Sequence, residues 1–324
     1  VQNTACTDAE FVALWQQTRG SASQLSQITG VSVRGVYARR RVIEKRLGSP
    51  LLSHAANSPD RTIIGPENTY IRQNRIDVEN GVVVIFTDAH IYPGIQTAAR
   101  RALIKLLPEL KPSIVVDNGD SFDGGQISRH ERIGWDKRPT VKQELDANDE
   151  FHSEVEAASK GASFWWNWGN HDLRFPTRLA SRVGEFEGIT GFRLEDHFPR
   201  WKFGITLTIN PGAHTPTLVK HRYRGGDHAD WNNVMRAGIN IFTGHDHQMT
   251  CRPFVDKRGH RYGIRGGTLA DAALPIFDYQ EANPSQQRSG FCVLTFRKSA
   301  LLWPQFCAVL DEGHVEFMGR VIAV

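Results

Sequence analysis

The residues best suited to chemistry fall in five short blocks, each at the end of an apolar run of strand length. VVVIFTDAH ends in Asp88 and His90, and SIVVDNGDSFDGG carries Asp120 and Asp123. SFWWNWGNHD carries Asn170, His171 and Asp172, TPTLVKH ends in His221, and INIFTGHDH ends in His245 and His247. The carboxyl ends of strands are where open α/β sheets place their ligand sites. Carboxylate, imidazole and amide oxygen, without thiolate, suit divalent ions such as Mn, Fe, Zn or Ni better than copper(I) or an iron–sulfur cluster. Asp88, His90, Asp120, Asn170, His221, His245 and His247 together exceed the needs of one ion. Two ions roughly 3.5 to 4 Å apart that share one carboxylate would divide them and leave positions for water and a phosphate oxygen. Asp120 is the natural bridge.

The elements that must position these blocks alternate between strand and helix. After VVVIFT a helix is expected from about Ile95 to Leu107, and after SIVVDNG another near Val141 to Ser159. Further strands are expected at ITLTIN, TPTLVK and INIFTG, and near the C-terminus at FCVLTF, FCAVLD and HVEFMG. The pattern predicts an α/β fold in which two packed sheets, a β-sandwich, are flanked by helices. The tryptophans of FWWNWG could stack on bases, but their place in a strand leading to a ligand favours core packing. Arg129, Arg132, Lys137 and Arg138, in the insertion after Asp123, suit either a polyanion or a solvated loop. His228, in a Gly-rich loop just past His221, could reach the rim of such a site, whereas the remaining histidines have no comparable support.

The N-terminal part has a different texture. Residues 1–75 hold ten Lys and Arg against five Asp and Glu, so this segment carries +5 and the remainder about −1. Helices are expected at Asp8–Gln17, Ser23–Ile28 and Ser32–Leu47, the last two joined by the Gly-containing turn TGVS with Ser32 as N-cap. This is a helix-turn-helix outline, a small helical domain over residues 1–48. Its third helix offers Arg34, Arg39, Arg40, Arg41, Lys45 and Arg46 to DNA phosphates, with Val33, Val36, Tyr37 and Ile43 available to pack inward. Residues 49–80, rich in Ser, Pro and Asn, read as a linker to a domain spanning 81–324.

The five blocks resemble, in order, the motifs of the calcineurin-like metallophosphoesterases: D-x-H, G-D, G-N-H-[DE], H and G-H-x-H. The resemblance covers Val82 to His247. It implies the metallophosphoesterase fold, with Asp88, His90 and His247 on a first metal, Asn170, His221 and His245 on a second, and Asp120 shared. It further implies that water activated between the ions attacks phosphorus, that His171 is the general acid, and that Asp123 orients it. Asp172 fills the variable Asp/Glu position and is expected to be structural. The G-N-H-D form is similar to that of nucleases and phosphodiesterases, whereas the protein phosphatases favour G-D-x-V-D-R-G, whose arginine GDSFDGG lacks.

A phosphodiesterase acting on nucleic acid, loaded with two divalent ions (Mn first) and docked on DNA by its helical module, unites both halves of the chain. The alternatives are a phosphatase or phosphodiesterase acting on a small nucleotide or phosphoprotein, and a DNA-binding regulatory or assembly protein with a structural metal centre. No run approaches the roughly 18 apolar residues of a membrane span, and the first thirty residues lack a secretory apolar block, so a cytoplasmic setting without membrane contact is expected. Four scattered cysteines without C-x-x-C spacing read as buried free thiols.

Overall fold

The computed structural model describes residues 6–18, 20–51, 72–130, 135, 137–271, 274, 277 and 286–324. His54, Arg132 and most of the expected linker lie outside the described residues. The chain divides into two compact units, Val1–Glu67 and Asn68–Val324.

The first unit holds three helices: α1 (Asp8–Gln17), α2 (Ala22–Thr29) and α3 (Val33–Leu47). Each begins where a hydroxyl replaces a missing helical acceptor. Thr7 forms a capping box with Glu10, Ser21 accepts from the Gln24 amide, and Ser32 accepts from the Gly35 amide. Both α2 and α3 stop at a left-handed glycine, Gly30 and Gly48. Phe11, Trp15, Ala22, Leu25, Val36, Ile43 and Leu51 form the core.

Of the four apolar residues expected to face inward from α3, only Val36 and Ile43 do. Val33 is 41% and Tyr37 42% exposed. A helix advances about 100° per residue, so Tyr37 turns away from the narrow stripe that three short helices can cover, and Val33 sits at its edge on the first turn. The space is filled instead by arginine stems, with Arg39 over the Phe11 ring and Arg40 over Trp15.

The second unit begins with β1 (Gln73–Ile76), which corrects the linker expected to run to residue 80: these polar residues pair in parallel with β6. In chain order there follow β2 (Gly81–Phe86), α4 (Ala98–Leu110), β3 (Ile114–Asp117), α5 (Val141–Ala158), β4 (Ser163–Asn167) and α6 (Arg174–Arg182). Next come β5 (Trp201–Gly204), β6 (Thr206–Ile209), β7 (Thr217–Val219), α7 (Ala229–Ala237), β8 (Asn240–Thr243), β9 (Met249–Asp256) and β10 (Gly259–Gly266). The chain closes with β11 (Gly290–Arg297), β12 (Ala300–Leu301), β13 (Gln305–Asp311), β14 (His314–Phe317) and β15 (Arg320–Ala323).

Among the described residues these strands form two sheets, ordered β1-β6-β7-β8-β10-β9 and β15-β14-β13-β11-β2-β3-β4-β5, with β12 paired to β11. Period-2 alternation sends β2 side chains to two cores. Val83 and Ile85 join Leu207, Val219 and Phe242 between the sheets, while Val84 and Phe86 join Leu103, Leu107 and Phe151 beneath α4 and α5. The tryptophans follow the same rule, Trp166 and Trp168 lying on the helix side and Trp165 between the sheets, all buried. Cys292 and Cys307 are buried, whereas Cys6 and Cys251 are partly exposed, and all four are free.

The parallel set β2, β3 and β4 ends at one edge, and the parallel pair β7 and β8 supplies the second sheet's contribution. All five chemical blocks therefore leave the ends of strands. For the helical unit, Ile43→Ala is expected to cost about 2–4 kcal/mol and to speed hydrogen exchange across α1–α3, while Val33→Ala leaves exchange nearly unchanged. Equal effects of the two would contradict the packing described.

Candidate metal centre

The loops after the strands are tight, and their conformations are unusual. Asp88, His90, Asp120, His245 and His247 all have positive φ, between 39° and 77°. Such backbone costs about 1–3 kcal/mol per residue and persists only where its surroundings dictate it. Here they do. The Asp88 and His90 amides donate to the carbonyls of Gly119 and Asp120 at 2.8 and 2.9 Å, and the His245 amide donates to Asp88 Oδ2 at 2.8 Å. Two glycines let the loops approach: a Cβ on Gly169 would collide with the Asp120 carboxylate, and one on Gly244 with Thr87 and Asp88.

Asp172 ties two of these loops together. Its carboxylate accepts from the amides of Asp120 (2.9 Å), Phe122 (3.1 Å) and Gly169 (2.8 Å) and from the Trp166 indole (3.2 Å). It binds backbone, as expected for a structural position.

The side chains converge in two abutting groups. Ligand atoms of Asp88, His90 and His247 lie within 4.8 Å of one another, and so do those of Asp120, His221 and His245. His247 Nε2 is 3.3 Å from Asp88 Oδ1, and His221 Nε2 is 3.1 Å from Asp120 Oδ2 and 4.0 Å from Asp88 Oδ1. The decisive observation is that Asp88 Oδ1, His90 Nε2, Asn170 Oδ1 and His221 Nε2 are buried without a hydrogen-bond partner. The His221–Asp120 approach is therefore a proximity without directed bonding, as suits two donors aimed at one cation. Four orphaned atoms in one place would be costly unless a cation satisfies them. The residues fit divalent metal.

Hydrogen bonds on the far side fix which ring atom faces inward. His221 Nδ1 donates to the Asn118 carbonyl at 2.7 Å, leaving Nε2 for metal. Asp123 Oδ1 accepts from His90 Nδ1 at 3.1 Å and from His171 Nδ1 at 2.7 Å, so one carboxylate orients a ligand and the expected acid together. These three residues also cluster closely, but their facing atoms already share hydrogen bonds. Glu144, which sequence reasoning missed, accepts from the Gly124 and Gly125 amides at 2.6 and 3.2 Å and braces the loop behind Asp123. Burial and the neighbouring Asp123 push its carboxyl up to about 8.

The charges are strongly coupled. Burial alone would raise Asp88 and Asp120, but the surrounding histidines together outweigh it, His221 and His247 beside Asp88 and His221, His171 and His90 beside Asp120, and hold both carboxyls low. In return, against the effect of burial, Asp120 and Asp88 push the His221 imidazole up to about 10.

Arg174 is the second residue that the sequence reading passed over. It follows His171 by three positions, a spacing that could have drawn notice. Its Nη1 donates to the Asp123 carbonyl at 2.7 Å, and its Nη2 lies 3.2 Å from His171 Nε2. The other described histidines stand apart from the metal groups. His152 pairs with the buried Asp117 at 3.0 Å, and His228 is an exposed residue at the start of α7. Arg129 and Lys137 are exposed, while Arg138 donates to the Gly125 carbonyl.

Carboxylate, imidazole and amide donors gathered at strand ends define a centre for hard or borderline divalent ions. The profile of the calcineurin-like phosphoesterases matches residues 81–249, and the chain belongs to that family. It is a metal-dependent phosphoesterase. Among solved structures the chain is similar to Yfce, a phosphoesterase from E. coli, at 12% identity over 69% of this chain and 97% of that one, with a TM-score of 0.31. Comparison with curated proteins finds no match. Among the described residues no helix is long and apolar enough to cross a membrane.

Two outcomes follow from this geometry. Asp172→Asn places an amide NH2 among N–H donors and is expected to cost about 2–4 kcal/mol in urea unfolding while lowering metal content. An unchanged midpoint with full metal would contradict its role. Because His221 holds a proton up to about pH 10 in the metal-free protein, metal uptake at pH 7–8 should release protons and tighten as pH rises. Calorimetry in buffers of different ionisation enthalpy measures this release, and buffer-independent heats would refute it.

Proposed function

We propose that the protein is a two-metal phosphodiesterase that hydrolyses nucleic-acid phosphodiester bonds, with its helical unit binding DNA. The observation that carries the chemistry is the pair of abutting donor groups with their four orphaned ligand atoms. Asp88, His90 and His247 would hold one ion, Asn170, His221 and His245 the other, and Asp120 both, with Mn the first ion to test. Bound there, such ions supply Lewis acidity toward phosphoryl oxygens and lower the pKa of water.

The chain's own residues handle the proton. Asp123 holds His171 through Nδ1, so Nε2 looks toward the centre, 3.9 Å from Asp120 Oδ2. Although burial pulls the other way, Asp120 and Asp123 hold the His171 imidazole above its ordinary range. That places a proton where a leaving alkoxide would collect it.

The nucleic-acid reading is supported by the sorting of cations on α3. Arg39 hydrogen-bonds Cys6 and lies 3.7 Å from Asp8, Arg40 pairs with Glu44 at 2.8 Å, and Arg46 pairs with Asp8 at 2.6 Å. These three serve the module itself. Arg34, Arg41 and Lys45 are exposed, have no ion-pair partner among the described residues, and share one helix face with Tyr37 opposite the buried Val36 and Ile43. A second helix after a short turn, with a bare cationic face, suits duplex phosphates.

Removing Arg34, Arg41 and Lys45 together should weaken DNA binding and make its salt dependence shallower by roughly 2–3 in log–log slope. Turnover of bis-p-nitrophenyl phosphate should persist. An unchanged slope would overturn the DNA-binding assignment, and hydrolysis of phosphomonoesters alone would overturn the diesterase reading. His171→Ala should slow DNA cleavage about 10²–10⁴-fold, yet slow bis-p-nitrophenyl phosphate far less, because nitrophenolate leaves without a proton. Equal losses on both substrates would exclude His171 as the acid.

A further inference from the structure

Arg174 occupies a position that the metal ligands and the acid do not explain. It opens α6, and its side chain is 19% exposed. A guanidinium so enclosed usually meets a carboxylate in a two-pronged pair. Among the described residues the nearest carboxylate oxygen, Asp123 Oδ2, is 3.7 Å away, and Asp123 Oδ1 is already taken by His90 and His171. Of five N–H donors, Arg174 uses one on the Asp123 carbonyl, and its Nη2 lies 3.2 Å from His171 Nε2, which can accept an N–H only while it carries no proton. Its ion pair with Asp123 is thus long and one-pronged, and leaves most of its donors for another anion.

The side chain is held by shape instead. Gly124 has φ +63°, and a Cβ there would come within 3.2 and 3.3 Å of Arg174 Cβ and Cδ. Phe122 and Phe175 meet edge to face at 5.9 Å beneath the start of α6. A left-handed glycine thus makes room for a cation beside the acid.

We infer that Arg174 binds a non-bridging oxygen of the phosphoryl group under attack. To accept a proton, the leaving oxygen must come to His171 Nε2, and the guanidinium 3.2 Å from that atom is then beside the other oxygens of the same phosphorus. Those oxygens share the negative charge of the transition state, which preorganised N–H donors stabilise. The contact with Nε2 is replaced by the phosphate, and no bond to Arg174 is made or broken. The inference rests on the phosphoesterase centre and holds for any phosphoester, so it does not depend on DNA being the substrate.

The test uses the full chain loaded with Mn and inorganic phosphate as probe, titrated calorimetrically and as a competitor of bis-p-nitrophenyl phosphate hydrolysis. Arg174→Ala should weaken phosphate about 10–100-fold with Mn content unchanged, and Arg174→Lys should recover part of the loss. Phosphate affinity within twofold of the parent protein would overturn the inference. So would a loss of affinity that tracks a loss of Mn in both variants, since Arg174 would then be propping up Asp123. Failure of the Mn-loaded parent protein to bind phosphate would strike the reading of the centre itself, and this inference with it.

Discussion

Buried negative charge governs this structure. Asp88, Asp117, Asp120 and Asp172 are all at most 1% exposed and crowd one edge of the larger sheet, with Asp123 beside them. An isolated carboxylate in such surroundings is untenable, so each needs a partner. Asp117 has His152 and the Gly119 amide, Asp172 has four N–H donors, and Asp123 has two imidazoles. Asp88 and Asp120 are only partly compensated. One oxygen of Asp88 accepts from Thr87 and the His245 amide, one oxygen of Asp120 accepts from the His171 amide, and the other oxygens face the Nε2 atoms of His247 and His221. Divalent cations complete this balance, and the phosphoester chemistry of the family follows from placing them there.

The same constraint explains the backbone. Side chains from two sheets can converge on one place only if five loops nearly touch, which requires left-handed turns at Asp88, His90, Asp120, His245 and His247 and glycines at the crossings. Asp172 and Glu144 then serve as anchors for peptide N–H groups that no strand can satisfy.

Much of this was legible in the residues. The ligand blocks stood at the ends of runs whose length and composition announced strands, and α3 begins at the Ser32 cap that the sequence announced. The strands β1 and β9 were not legible for a physical reason. Both lie at the edges of the smaller sheet, where one side needs no partner, so QNRI and a run containing Pro253 can pair without the apolar pattern of a central strand. The inward facing of Val33 and Tyr37 failed because periodicity gives a helix's stripe but not its width, which depends on how much the neighbouring helices cover. Arg174 escaped because nothing in its local sequence shows that Gly124, fifty residues earlier, makes room for it.

Asp120 is proposed to belong to two ions at once. Electron paramagnetic resonance of the protein titrated with Mn(II) tests it most directly. The account predicts saturation at two ions per chain with the exchange-coupled spectrum of a carboxylate-bridged pair, collapsing to isolated-ion lines in Asp120→Asn. Saturation at one ion, or two ions whose lines stay uncoupled in the parent protein, would contradict it.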